Sequence, residues 1–278
     1  MISTVQLQRM SHGEQFRAFT LRGGTFAEPI DPFLAVDHAW ISGPTFPPHP
    51  HAGFSAVSYL FDDSETGIDN EDSLGNRNLI QPGGLHWTAA GSGVVHEEVP
   101  AKEGRTVHML QIFINLPQAR QGNAPFALSL APEDVPVVRV PGAVVRVPLG
   151  SFADARSPLA PPTDVRMLDI SLEAGTELRI PLNDRESAFV MPISGEVRVE
   201  GLAFDLEQAA VPVIAPDRGQ RNIALQAGPG GARVVVFSGV PLRQSVYWKG
   251  PLALASMDAL AHAVASYQKG LFGKLQPR

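Results

Sequence analysis

Short apolar stretches, each cut off by a glycine or proline turn, recur along this chain, and that rhythm confines it to a β-rich fold. Examples are residues 56–60, 107–116, 168–172, 188–191, 197–199, 223–225 and 234–237. Several alternate apolar with polar positions, as strands with one buried face do. Turns between such stretches include Ser73-Leu74-Gly75-Asn76, Gln81-Pro82-Gly83-Gly84, Ser194-Gly195 and Gly228-Pro229-Gly230-Gly231. The 26 glycines and 25 prolines are spread along the sequence, so they punctuate strands instead of forming one low-complexity tail. Many short strands with such turns point to a sandwich or a barrel.

One helix is expected near the C-terminus. Ser256 can cap its start, and Asp258 in the first turn favours the helix dipole. Leu260, Val264 and Tyr267 share a face at helical spacing, and Gly270 is a natural stop. The 278 residues suffice for one large domain or two ordinary ones. Residues 116–136, rich in Pro, Ala and Gln, read as a linker. That places an N-terminal domain at 1–130 and a C-terminal one at 131–278. Residues 58–82 and 189–212 each hold a Gly-bounded strand pair followed by an apolar strand, a weak sign of duplication.

Composition excludes several functions. There is no cysteine, so disulfides, thiolate metal sites and cysteine nucleophiles are ruled out. The net charge of −6 comes with scattered basic residues, which gives no footprint for nucleic acid and no polybasic membrane patch. No apolar run reaches the length of a transmembrane helix, and residues 1–22 lack a secretory apolar core, so a soluble cytoplasmic protein is expected.

The histidines are unevenly placed: of eight, only His262 lies beyond residue 108. His49 and His51, in Phe46-Pro47-Pro48-His49-Pro50-His51-Ala52-Gly53-Phe54, point to one face of an extended chain. Pro50 has no N–H to give, so this segment belongs at a sheet edge. A second pair at the same spacing, His96 and Glu98, follows Gly91-Ser92-Gly93-Val94-Val95, with Glu97 facing away. Three neutral imidazoles and a carboxylate converging from two strands suit one first-row divalent metal and leave positions open for water, substrate or dioxygen. The bland alternative is a surface His-x-His, a core His96 and an ion-paired Glu98.

These segments, with Asp31-Pro32-Phe33-Leu34, Asp72-Ser73-Leu74-Gly75-Asn76-Arg77, Gln81-Pro82-Gly83 and Trp87-Thr88-Ala89-Ala90, resemble the pirin family of bicupins in order and spacing. Trp248-Lys249-Gly250-Pro251 and Tyr267-Gln268-Lys269-Gly270-Leu271-Phe272-Gly273 resemble the family's ending. The resemblance implies an all-β fold of two tandem cupin (jelly-roll-like) barrels packed together, with the C-terminal helix. It implies a metal in the first barrel only, usually Fe(II), with Mn, Ni, Co, Cu or Zn as alternatives. The ligands by position are His49, His51, His96 and Glu98. The sequence departs from the family at Ala52, where Arg is frequent, and at Ser55, where many cupins carry a ligand Glu. His86 stands where Gln is frequent; it is expected to be a non-ligand that could compete for metal. His38 matches a family position near the barrel and is expected to hydrogen-bond behind the ligands. His108 is expected in the core, while His12 and His262 are expected in solvent. Phe33, Phe46, Phe54 and Trp87 are expected to build core or pocket walls.

The resemblance also implies the candidate activity, a metal-dependent oxidoreductase of the quercetin 2,3-dioxygenase kind acting on a flavonol-like hydroxylated aromatic. Glu98 would be both ligand and general base. The competing expectation is a non-enzymatic, metal- or redox-sensing protein that regulates a partner enzyme or transcription factor.

Overall fold

The computed structural model describes residues 2–24 and 27–275. Two sheets of the first half face each other. The larger has seven strands in the order Phe126–Leu130, Leu85–Ala89, Phe54–Leu60, Val107–Asn115, Phe33–Ile41, Phe16–Arg22 and Gln8–His12. The smaller has four: His49–His51, Val94–Pro100, Ile68–Asp72 and Arg77–Ile80. The segment read as a linker is therefore partly structured, because Phe126–Leu130 pairs with Leu85–Ala89 and extends the larger sheet.

The second half is one nine-stranded sheet wrapped around its own core. Two long strands, Ser187–Val199 and Arg221–Gly239, run through it and bend where their register shifts near Pro192 and Gly195. At Gly195 the backbone has φ +72°, and a Cβ would sit 2.2 Å from the Gly231 carbonyl, so only glycine fits that bend. The strand Ile2–Gln6 pairs with Ala210–Ile214, so the start of the chain completes the second sheet before the first half begins. The architecture is thus the expected all-β pair of jelly-roll-like units.

The two halves share a core. Phe33, Val36, Tyr59 and Leu110 from the first pack with Met167, Phe189, Val235 and Phe237 from the second. The Phe33 ring meets Phe189 and Phe237 edge-on at 5.3 Å, a favoured aromatic geometry. At its border Arg233 chelates the buried Asp169 at 2.7 and 2.9 Å and reaches Asp62 at 2.8 Å, and the Tyr59 hydroxyl donates to Asp169 at 2.7 Å. A buried carboxylate needs such partners to remain charged.

The helix spans Met257–Gln268. The Ser256 side chain accepts from the Ala259 N–H, and Gly270 takes φ +75° just past its end. Its buried residues are Leu260 and Ala263; Tyr267 is exposed, so the apolar face is narrower than the spacing suggested. The face packs on Leu252, Leu254, Ala52 and Val95. The C-terminal segment is thereby bound to the first half. Ala52 bridges Leu252, and the Phe272 ring lies where a Cβ of Gly93 would be. Among the described residues no helix is long and apolar enough to cross a membrane.

Candidate metal centre

The His49–His51 strand is the edge strand that Pro50 demands. It pairs with Val94–Pro100 in a register that sets His96 opposite His49. The period-two geometry then brings three imidazoles together. Ring centroids lie 4.6 to 4.8 Å apart, and one nitrogen from each of His49, His51 and His96 falls within a 4.8 Å group.

Hydrogen bonds fix which nitrogens face inward. His49 Nδ1 lies 2.9 Å from the Pro47 carbonyl and His51 Nδ1 lies 3.1 Å from the Pro251 carbonyl. A carbonyl only accepts, so both rings carry their proton on Nδ1 and turn the Nε2 lone pair into the site. Burial holds the rings neutral. It pulls His51 down to about 3, helped by His49 nearby, and lowers His49; His96 is held well below the usual imidazole range by burial and then by His51 and His49.

His49 Nε2 and His96 Nε2 are 3.2 Å apart. His96 Nδ1 has no partner to fix its tautomer, so a proton on His96 Nε2 can bridge that gap in the apo protein, and a cation between the two nitrogens can take its place. Two metal–nitrogen bonds of roughly 2.1 Å meeting at about 100° span the same gap. The donor set therefore fits a divalent first-row ion.

Glu98 lines the same cavity from the next inward position of the strand. It does not join the three-nitrogen group. Instead both its carboxylate oxygens lie 2.8 Å from Ser58 Oγ. Burial pushes its carboxyl up to about 7, opposed by the Ser58 hydrogen bond. A group poised there can exchange a proton near neutral pH.

The cavity holds about 270 Å³, small for a ligand site, and lies between the two sheets of the first half. Its walls are mostly apolar, including Phe16, Ile41, Ile68, Met109 and Phe113, with Phe46 half exposed at 49 %. Arg22 and Asp37 face it as an ion pair of 2.8 Å, and Gln111 lies near Glu98. Phe33, Phe54 and Trp87 are core residues.

The remaining histidines lie elsewhere. His86 is buried with Nδ1 2.9 Å from Ser129 Oγ and Nε2 3.2 Å from Asn70 Nδ2, outside the three-nitrogen group. His38 does not bond to a ligand. Its Nε2 lies 2.7 Å from His108 Nε2, and His108 Nδ1 lies 2.8 Å from Asp63. The reason is alternation: Asp37, Ala39 and Ile41 face the cavity, so His38 faces the opposite side of the strand. His12 and His262 are exposed as expected. Sequence reading missed Ser58, Gln111 and the Pro251 carbonyl. Ser58 alone left a signal, as a polar residue among apolar ones in a strand.

Residues 5–114 match the family model described as Pirin, and residues 167–273 match Pirin C-terminal cupin domain. A Pseudomonas aeruginosa protein named "Putative quercetin 2,3-dioxygenase PA3240" is 31 % identical over 94 % of this chain and 93 % of its own length. A crystal structure described as quercetin 2,3-dioxygenase from Acinetobacter baumannii superposes with TM-score 0.84 at 25 % identity, over 98 % of this chain and 91 % of that one. The Escherichia coli bacterial pirin YhhW, solved in complex with nickel(II), superposes with TM-score 0.67 at 18 % identity, over 87 % of this chain and all of its own.

Proposed function

Since this chain belongs to the pirin family, we propose that it is a metal-dependent oxidoreductase that opens hydroxylated aromatics of the flavonol kind with dioxygen. The observation that supports this best is the convergence of three neutral imidazoles, with 3.2 Å between two of their ring nitrogens, on the wall of an apolar cavity. His49, His51 and His96 would hold the ion, Fe(II) first, with Mn, Ni, Co, Cu or Zn as alternatives. When bound, the ion would lower the pKa of a coordinated substrate hydroxyl and bring substrate and dioxygen together.

The chain's own residues do the rest. The carbonyls of Pro47 and Pro251 keep two rings turned inward, so metal binding displaces no proton from them. Phe16, Ile41, Ile68, Met109 and Phe113 offer a dry, flat-walled slot for an aromatic ring and exclude bulk water from it. Glu98 would accept the proton of the entering hydroxyl, a role supported by its place on the cavity wall and by burial that raises its carboxyl to about 7. Ser58 then stabilises whichever charge state results, because a hydroxyl both donates and accepts.

The test is oxygen uptake and loss of quercetin absorbance by protein loaded separately with Fe(II), Mn(II), Co(II), Ni(II) and Cu(II). Turnover by at least one form, abolished in His51→Ala, is the expected result. Bound metal with no turnover in any form would reject the activity and redirect attention to metal sensing.

A further inference from the structure

Asp37 lies on the cavity face of the strand Phe33–Ile41, where the other cavity-facing residues, Ala39 and Ile41, are apolar. Arg22, at the end of the adjacent strand Phe16–Arg22, grips it with both ends of its guanidinium. Nη1 lies 2.8 Å from Oδ1, and Nη2 donates to Oδ2 at 3.1 Å. The Asp37 side chain is 16 % exposed and that of Arg22 40 %. Both line the cavity, and Gln111 stands directly opposite Asp37 in the sheet. An ion pair half out of water adds little to a fold, because the loss of hydration offsets the attraction. Apolar side chains like those of Ala39 and Ile41 would fill the same wall without that cost. A pair kept at such a place points to a ligand that uses it.

We propose that Arg22 and Asp37 are specificity residues that take the adjacent hydroxyls of a catechol ring, at the end of the substrate remote from the imidazoles. The inference rests on the reading of this cavity as the site of a flavonol-like aromatic. Its chemical basis is complementarity. The carboxylate can only accept and the guanidinium can only donate, while two neighbouring hydroxyls do both. The charges of the pair cancel, so it favours a neutral group over an anion. Its position fits as well. The His51 ring lies against Phe113 at 5.5 Å between centroids. Asp37 stands one strand across and two residues along from Phe113, about 8 Å away. That separation matches a second ring pendant on the one held at the imidazoles, with Met109 and Phe113 as apolar wall beside it.

The experiment measures anaerobic binding of two flavonols to Co(II)-loaded protein by the shift in their absorbance, so that neither is consumed. One is quercetin, whose pendant ring is a catechol; the other carries an unsubstituted phenyl ring in its place. The wild type is expected to bind quercetin at least about tenfold more tightly, the size of effect of a hydrogen bond to a charged group. Arg22→Met combined with Asp37→Leu strands neither charge, and is expected to bring that ratio within about twofold while the phenyl flavonol binds as before. A ratio that survives in the double variant overturns the proposal, and so does an equal loss of both ligands, because the pair would then only shape the wall. A wild-type ratio near one also overturns it, and this arm decides the matter even where the double variant fails to fold. Equal binding of both flavonols leaves the flavonol reading of the cavity standing. Wild-type protein that binds neither rejects that reading, and the proposal with it.

Discussion

Substituting Gly53 by alanine tests how the C-terminal segment supports the imidazoles. Gly53 has φ +84°, follows the His51 strand by two residues, and donates its N–H to the Gly91 carbonyl at 2.8 Å. A Cβ there would lie 2.1 Å from the Ala253 carbonyl oxygen and 2.7 Å from Leu254 Cγ. The first contact is with backbone, so it cannot be relieved by a rotamer change. The left-handed conformation costs about 1–2 kcal/mol for a residue with a Cβ, and the overlap adds about 1–3 kcal/mol. The expected loss is about 2–5 kcal/mol, or roughly 5–15 °C in melting temperature for a chain of this size. Gly104 is the matched control, since it has φ +67° and nothing within 4 Å of its Cβ position. Gly104→Ala should lose only the conformational part, about 1–2 kcal/mol. Gly53→Ala should also weaken metal binding about tenfold, because pushing Ala253 away moves the Pro251 carbonyl from His51 Nδ1, now 3.1 Å away. Chemical denaturation of apo protein and chelator competition measure the two effects. Equal losses in the two variants, with equal metal affinity, would refute the close-approach argument.

Glu98→Gln should stabilise the apo protein in alkali and not in acid. The folded carboxyl is raised from 4.5 to about 7, so neutrality stabilises the fold fully below pH 4.5 and that contribution is lost as pH rises through 7. The full difference is worth about 3 kcal/mol in a dry site and about 2 kcal/mol with water in the cavity; denaturation at pH 5 and pH 9 measures it, and a gap that does not widen with pH contradicts it. Arg233→Ala should cost roughly 3–5 kcal/mol, because it strands the buried Asp169 between the two halves. Urea titration checks this, and a loss under 1 kcal/mol would show that Tyr59 alone satisfies that carboxylate. Adding Co(II) at 100 times its Kd should stabilise the wild type by about 2.7 kcal/mol and His49→Ala by much less, read as a shift in the denaturation midpoint; equal shifts would place the ion elsewhere.

Local chemistry made part of this molecule legible in its sequence. The 3.3 Å rise and two-residue period of a strand are enough to predict that His49 and His51, and His96 and Glu98, share faces. The missing N–H of Pro50 is enough to predict an edge, and Ser256 enough to start the helix. What stayed hidden is non-local. The partner of His51 Nδ1 is a carbonyl 200 residues away, and the first strand pairs with the second half of the chain. Two side chains on one face can also turn differently: His96 aims at the other imidazoles while Glu98 turns to Ser58, a choice made by a neighbour on another strand. His38 was misplaced because a position near the site does not reveal which side of its strand it faces.

The same burial that makes the three imidazoles good ligands makes the apo fold sensitive to acid. His51 ionises near 3 in the folded chain and near 6.5 when unfolded, so between those values the unfolded chain binds a proton that the folded chain refuses. Stability therefore falls as pH drops below about 6.5, and burial of His49, His86 and His96 pushes the same way. A divalent ion bound there would stabilise the folded state against that loss, because it would put positive charge where the ring nitrogens converge without requiring an imidazolium in an apolar wall. The arrangement is favourable for an ion near neutral pH, where the rings have no proton to give up.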